Sequence, residues 1–360
     1  MSRVERALEK VAALGLDGLL LVQNERITKK NVRYLTGFTG STAYVLVTPK
    51  RRILMTDLRY IDQASQQCPE FEIVMHDKPF TKTVQQFAKD LGLKRLGFET
   101  EGITVSMFNT IKEDIPDVDW VPTKNLIESL RAYKDEREIS LISKACEMSD
   151  QVFQHILKFI KPGIREVDVA LEFEIFARKL GAPGLAFDLI LVSGKRTVQQ
   201  HGSATNKVLQ PGDFVVMDFG VVNEGYLCDM TRTVVVGRAS EEQRRVYDAV
   251  RRAQELGTQL MKPGMVGKEV ARLVTKVMAD AGYEKWCTKG IGHGVGLEIH
   301  EEPFVGADTE FSLEVGHVLT VEPGIYIPGW GGVRIEDTVA IGKEGPRILT
   351  KSTKDLIEVG

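Results

Sequence analysis

Apolar residues recur at Val4, Ala7, Leu8 and Val11, the spacing of one helical face, and after Gly15 they close into the run Leu19 to Val22. That change of period predicts an amphipathic helix over residues 3–14 feeding a buried strand. Two more strands are predicted at Ala43 to Thr48 and, after the turn at Pro49, at Arg52 to Thr56. Residues 82–92 return to helical spacing, and Arg95 to Glu99 to a strand. Because helix and strand alternate, residues 1–125 read as one small α/β domain. Asp57, Arg59 and Asp62, just past the strand ending at Thr56, read as an exposed loop salt bridge rather than a site.

From Arg131 the pattern changes. The charged start RAYKDEREI opens a long helix whose apolar positions Ile139, Ile142, Cys146, Phe153, Ile156 and Ile160 run to Lys161-Pro162-Gly163, where proline and glycine stop it. A second helix is predicted from Glu166 to Leu180, ended by Gly181, and strands with turns follow to residue 238. Ser240 and Gln243 form a capping box for a third helix that ends at Lys262-Pro263-Gly264, and a fourth helix runs to Gly282. Residues 126–360 therefore read as a second domain of α+β character, which makes the fold an α/β two-domain chain.

The second domain repeats itself. KPGIREVDVA at 161–170 aligns with KPGMVGKEVA at 262–271 at an offset of 101, and Gly181 aligns with Gly282 at the same offset. LQPGDFVVMDFG at 209–220 aligns with LEVGHVLTVEPG at 313–324 at an offset of 104, which lays Asp218 on Glu322. Asp229-Met-Thr231 likewise aligns with Glu336-Asp-Thr338. A period this long is not that of a solenoid; it predicts two half-domains about a pseudo-twofold axis, each supplying two carboxylates.

Composition narrows the partners. With 360 residues, 43% hydrophobic and 27% charged, the chain can bury a sizeable core. A net charge of -3 provides no basic field, so no nucleic-acid partner is expected. Arg244, Arg245, Arg251 and Arg252 recur seven apart and read as a solvated helix face. No apolar run approaches the roughly 18 residues of a membrane span, and the scattered charge of the first ten residues does not fit a signal peptide. Cys68, Cys146, Cys228 and Cys287 form no CxxC, which favours a reducing, cytoplasmic location.

The densest chemistry is GIGHGVGLEIHE, residues 290–301, where four alternate glycines surround His293 and precede His300. Glycine at this density lets backbone pass close to a neighbour. Asp218, Asp229, Glu322 and Glu336 each stand alone in an apolar, strand-like segment, and buried acids require partners. In a hairpin centred on Asn223 and Glu224, Asp218 and Asp229 would lie directly opposite, about 5 Å apart at Cβ. Glu322 and Glu336 are likewise symmetric about Gly329. Two carboxylates about 4 Å apart repel by roughly 4 kcal/mol at an effective dielectric near 20. Two divalent ions would balance four such charges, with His293 as a neutral nitrogen ligand. Hard oxygen donors favour Mn²⁺ or Co²⁺ over a cysteine-type zinc site. Hairpin-surface charges and a core histidine would account for any one of these residues, but not for five at duplicated, turn-centred positions. Dinucleotide binding fails on the spacing, because Gly290, Gly292, Gly294 and Gly296 never satisfy GxGxxG.

MDFG with Asp218, CDMTRT with Asp229, GHGVGLEIHE with His293 and His300, VEPGIYIPG with Glu322, and GGVRIED with Arg334 and Glu336 follow one another in order. Together they resemble the Xaa-Pro aminopeptidase and prolidase family of the pita-bread superfamily, and YLTGFTGS and TDLRY resemble its creatinase-type N-terminal domain. The resemblance implies a creatinase-type N-terminal domain followed by a pita-bread metallopeptidase domain, and a homodimer. It implies that Asp218, Asp229, His293, Glu322 and Glu336 hold two divalent ions, Mn²⁺ first, with Co²⁺ or Zn²⁺ as the other candidates. Glu322 would also help activate a bridging hydroxide, and His201 and His300 would contact substrate. The implied reaction is metal-dependent hydrolysis of the bond between an N-terminal residue and proline, in Xaa-Pro dipeptides and short Xaa-Pro peptides. An aminopeptidase P acting only on longer peptides, and a non-catalytic binding protein on the same fold, remain as alternatives.

Two positions depart from the family pattern: Gln200 stands where proline usually precedes His201, and Lys289 stands where many members carry a histidine. Arg334, close to Glu336, is expected to pair bidentately with a terminal carboxylate of a short substrate. Lys289 is either a second positive charge for that carboxylate or a solvated side chain.

Overall fold

The computed structural model describes residues 1–27, 30–76 and 79–360. It divides into two compact units, Met1–Arg131 and Ala132–Gly360.

In the first unit the helix Arg3–Ala13 opens on a capping box of Ser2 and Glu5 and buries Val4, Ala7 and Val11, the apolar stripe read from the sequence. It leads into Gly18–Gln23, an inner strand of a six-stranded sheet, antiparallel to Ala43–Val47 and parallel to Arg95–Glu99. The edges of the sheet are Glu72–Met75 and Asp119–Thr123. Edge positions bury less side chain: Ile73, Val74 and Met75 of the first edge strand stay half-buried or exposed, and only Trp120 and Thr123 of the second are buried. Leu20, Leu46, Ile53 and Leu96 from the sheet pack with Val84, Ala88 and Ile111 from the helices. Asp57 and Arg59 form the expected exposed ion pair, at 2.9 Å.

The second unit is built twice. The helices Glu136–Phe159 and Glu166–Lys179 precede a four-stranded sheet containing Ile190–Ser193, Phe214–Phe219 and Met230–Val236. The helices Glu241–Leu260 and Gly267–Met278 precede a five-stranded sheet containing Gly292–Gly294, Glu301–Val305, Val318–Val321 and Asp337–Gly342. The duplication extends to individual backbone bonds. Gly163, Glu166 and Val167 N–H donate to the carbonyls of Leu209, Lys207 and Thr205 at 3.0, 2.9 and 3.1 Å. Their counterparts Gly264, Gly267 and Lys268 donate to Leu313, Phe311 and Thr309 at 2.8, 2.9 and 2.8 Å. Gly181 and Gly282 share a φ of 93°. The fourth helix nonetheless stops at Met278, and residues Ala279–Tyr283 form a wider turn that ends it. No helix among the described residues is long and apolar enough to cross a membrane.

Candidate metal centre

The four acids sit at strand ends where the two sheets of the second unit are duplicated, but the first pair is not directly opposed. Asp218 pairs with Thr231, and Phe219 with Met230. The hairpin turns at Glu224-Gly225 rather than Asn223-Glu224, with both central residues at positive φ, 46° and 82°. Tight two-residue hairpins favour this geometry, and glycine adopts it without steric cost. The register therefore moves by two residues, and Asp229 lies diagonal to Asp218 instead of facing it. The second hairpin has the expected register: the pairs Val321↔Asp337 and Gly324↔Arg334 flank Glu322 and Glu336.

The glycine run serves strand contact rather than the acids. A Cβ on Gly292 would fall 2.1 Å from the Thr320 carbonyl oxygen, and one on Gly294 would fall 2.4 Å from that of Glu302. These close approaches press His293 against the carboxylates. Its Nδ1 lies 3.0 Å from the Gly294 carbonyl, which assigns the proton to Nδ1 and turns Nε2 inward. Nε2 is 3.2 Å from Glu322 Oε1 and 3.5 Å from Asp229 Oδ2. Ligand atoms of Asp229, His293 and Glu336 all lie within 4.8 Å of one another.

The sequence reading missed the threonines that hold these acids. Thr231 Oγ1 donates to Glu336 Oε2 at 2.6 Å, and its repeat counterpart Thr338 donates to the Asp229 carbonyl at 2.7 Å. Thr320 Oγ1 donates to Glu322 Oε1 at 3.0 Å. Only the repeat, which aligns Thr231 with Thr338, signals those two in the sequence; Thr320 aligns with Val216 and has no such signal. Arg334 is also placed differently from the expectation. It is 4% exposed, and its guanidinium pairs with Asp218, donates from Nε to Thr231 Oγ1 at 3.0 Å, and donates from Nη1 to Tyr326 Oη at 2.9 Å and the Gln200 carbonyl at 3.2 Å. So engaged, it has no free fork with which to grip a substrate carboxylate bidentately; it fixes Asp218 instead. Lys289 is exposed on a separate groove shared with Arg272 and Lys276, which agrees with the solvated reading.

Electrostatically the cluster calls for cations. Burial and then mutual repulsion push the carboxyls of Asp229 and Glu336 well above the usual carboxylate range. Burial raises Asp218 too, against the pull of Arg334. Burial also acts upward on Glu322, but the hydrogen bond and charge of His293 outweigh it and hold this carboxyl low. For His293 itself, burial opposes the charged form, yet Glu322 wins and raises the imidazole. Asp218 Oδ1 is buried with no hydrogen-bond partner among the described residues. Four crowded carboxylates against one guanidinium, with an orphaned oxygen among them, fit the binding of divalent metal ions.

The acids open onto a cavity of about 430 Å³. His201, His300 and Arg334, all singled out from the sequence, line it together with Asp218, Asp229, His293, Glu322 and Glu336. The rings of His293 and His300 lie 4.4 Å apart at their centroids. Burial and then the neighbouring His293 lower the pKa of His300, which keeps it neutral at physiological pH. Phe187, Ile190 and Ile299 form an apolar part of the wall that the sequence did not reveal.

Comparison with known proteins places this arrangement. Residues 140–343 match metallopeptidase family M24, and residues 3–133 match the creatinase/prolidase N-terminal domain. The chain is 35% identical to an Xaa-Pro dipeptidase of Pyrococcus horikoshii, covering 99% of this chain and 98% of that protein. Its fold superposes on an Xaa-Pro dipeptidase from Bacillus anthracis with a TM-score of 0.95 at 42% identity, covering 99% of each chain. An X-Pro aminopeptidase from Thermotoga maritima gives a TM-score of 0.92 at 34% identity, covering 98% of this chain and 100% of that one.

Proposed function

The chain belongs to metallopeptidase family M24, and from that premise we propose that it hydrolyses the bond between an N-terminal residue and proline in Xaa-Pro dipeptides and short Xaa-Pro peptides. Asp218, Asp229, His293, Glu322 and Glu336 hold two divalent ions, with Mn²⁺ favoured by the predominance of oxygen donors. The observation that carries this reading is the buried cluster itself, in which Asp229 and Glu336 resist ionisation and Asp218 Oδ1 has no partner among the described residues.

When bound, such ions supply Lewis acidity toward the scissile carbonyl and a water acidic enough to attack at neutral pH. The chain's own groups do the rest. Thr231, Thr320 and Arg334 orient Glu336, Glu322 and Asp218. Glu322, the one acid of the four held low, accepts the proton of the attacking water. As the C–N bond breaks, Glu322 returns that proton to the departing prolyl nitrogen, while neutral His300, with His201, hydrogen-bonds the tetrahedral oxygen. Proline suits the cavity because its amide nitrogen offers no N–H to satisfy and its ring is apolar, as are Phe187, Ile190 and Ile299.

A second reading, an aminopeptidase P preferring longer peptides, is favoured by the likeness to the Thermotoga maritima X-Pro aminopeptidase. Steady-state kinetics on Ala-Pro, Ala-Pro-Ala and Ala-Ala with Mn²⁺ test both readings. The dipeptidase reading expects Ala-Pro to be cut and Ala-Ala to be spared. Cleavage of the tripeptide alone would replace it with the second reading, and equal cleavage of Ala-Ala would remove proline specificity. The active form is a homodimer, and light scattering at micromolar concentration that gives a monomer under active conditions would refute that.

A further inference from the structure

The second unit holds another fully buried acid, Glu166, which the hydrolytic scheme does not use. It is the first residue of the helix Glu166–Lys179. Its Oε1 accepts from Ser193 N at 2.8 Å and Ser193 Oγ at 2.7 Å. Its Oε2 accepts from Thr205 N at 2.9 Å and Thr205 Oγ1 at 2.8 Å, and pairs with Arg196. Ser193 and Thr205 are the two feet of the loop that carries Gln200, His201 and Ser203 to the cavity wall. Arg196 closes the same loop from within, donating from Nη2 to the Ser203 carbonyl at 2.9 Å and to Gln199 Oε1 at 3.3 Å. Loops are ordinarily the mobile parts of a fold. Here both feet of one loop are tied to a single buried anion.

The duplication supplies an internal control. The backbone bonds that set this helix start recur in the second half, as described above, but there the position of Glu166 is occupied by Gly267. A Cβ on Gly267 would lie 3.1 Å from the Thr309 side chain and 3.3 Å from the Phe304 carbonyl oxygen, so that half has little room for a longer residue. The shared backbone arrangement therefore forms without a carboxylate. The acid is present in the half whose loop carries His201.

We propose that Glu166 is a positioning residue for His201: by anchoring Ser193 and Thr205 it fixes the loop that presents the imidazole to the cavity. The inference rests on the reading of His201 as a substrate-contacting group. Glu166→Gln keeps the shape but replaces one oxygen with an NH₂ group. Ser193 N and Thr205 N are fixed donors on opposite oxygens, so either orientation of the amide sets a donor against a donor.

The test is a double-mutant cycle of Glu166→Gln and His201→Ala in the Mn²⁺-loaded protein, with amide hydrogen exchange over residues 193–205 measured on the metal-free protein. Glu166→Gln is expected to unfold cooperatively, to lose protection across that loop, and to lower kcat/KM by roughly tenfold to a hundredfold, the scale of a small misplacement of a reacting group. In the His201→Ala background it should cost little more. Equal losses in both backgrounds, unchanged kcat/KM or unchanged exchange would each overturn the proposal. Wild-type rates in His201→Ala alone would remove the role of His201, and this inference with it, while leaving proline cleavage intact. If the wild-type protein cuts no Xaa-Pro bond, the proposed function fails, and exchange alone decides whether Glu166 anchors the loop. Should Glu166→Gln not fold, Thr205→Val takes its place in the cycle, removing one hydroxyl donor to the same carboxylate, with a smaller effect of the same sign.

Discussion

The Thr231 hydroxyl donates to Glu336 Oε2 at 2.6 Å and accepts from Arg334 Nε at 3.0 Å, so a single buried oxygen aligns a carboxylate and the guanidinium that fixes Asp218. Groups that orient metal-binding side chains in this way typically control affinity by tenfold to a hundredfold. Thr231→Val, nearly the same shape, is expected to weaken Mn²⁺ binding by about that factor while the protein stays folded. Calorimetric titration of the metal-free variant measures it, and wild-type affinity would show that the hydroxyl is dispensable.

Asp229→Ala removes one of the two acids whose ionisation burial and repulsion oppose most. Bound metal per chain should fall and hydrolysis should be lost, while the metal-free variant melts no lower than metal-free wild type. Elemental analysis after dialysis against Mn²⁺, paired with a thermal melt, reads both; two ions retained per chain would contradict the assignment.

Arg334→Ala separates a substrate clamp from a support for Asp218. A clamp would raise KM for dipeptides and leave metal content alone. The guanidinium is already engaged by Asp218, Thr231, Tyr326 and Gln200, so the expected result is reduced metal content together with a reduced kcat. A change confined to KM would favour the clamp.

Turn chemistry explains which parts of this site could be read from the sequence. The pairing of Glu322 with Glu336 was legible because the glycine-rich turn around Gly329 has one reasonable centre. The pairing of Asp218 with Asp229 was misplaced because Asn223-Glu224 and Glu224-Gly225 both look like turns, and the choice depends on which residue accepts positive φ. Thr231, Thr320 and Thr338 carry no distinctive local mark in the sequence, because threonine in a strand is already explained by β propensity. The placement of Arg334 is not legible in the sequence, because its partners Asp218 and Gln200 lie 116 and 134 residues away, beyond the reach of local pattern.

His317 makes a pH prediction outside the metal cluster. Burial, and then the charge of Lys134, push its imidazole from the usual 6.5 down to about 4. Between those values the unfolded chain takes up a proton that the folded protein refuses. Stability is therefore full above about pH 6.5 and is lost as pH falls toward 4, at up to about 1.4 kcal/mol per pH unit. Denaturant unfolding across that window should show a slope that His317→Asn flattens. An identical slope in the variant would assign the loss to other groups.

The two hairpins of the second unit are unequal in length. The first extends through the short ribbon Val222–Asn223 and Tyr226–Leu227 to its turn at Glu224-Gly225, whereas the second extends through the longer Gly324–Ile327 and Gly331–Arg334 before turning back. The extra length of that ribbon is where the repeat lapses, and it touches the His201 loop through the Gly332 N–H bond to Thr197 Oγ1 at 2.6 Å. Positions under the repeat are constrained twice, by their own half and by its mirror; positions on the ribbon and the loop carry no such mirrored constraint. Directed evolution toward new peptide preferences should therefore accumulate its accepted changes in residues 194–204 and 324–333 other than Arg196, His201 and Tyr326, leaving the mirrored positions untouched.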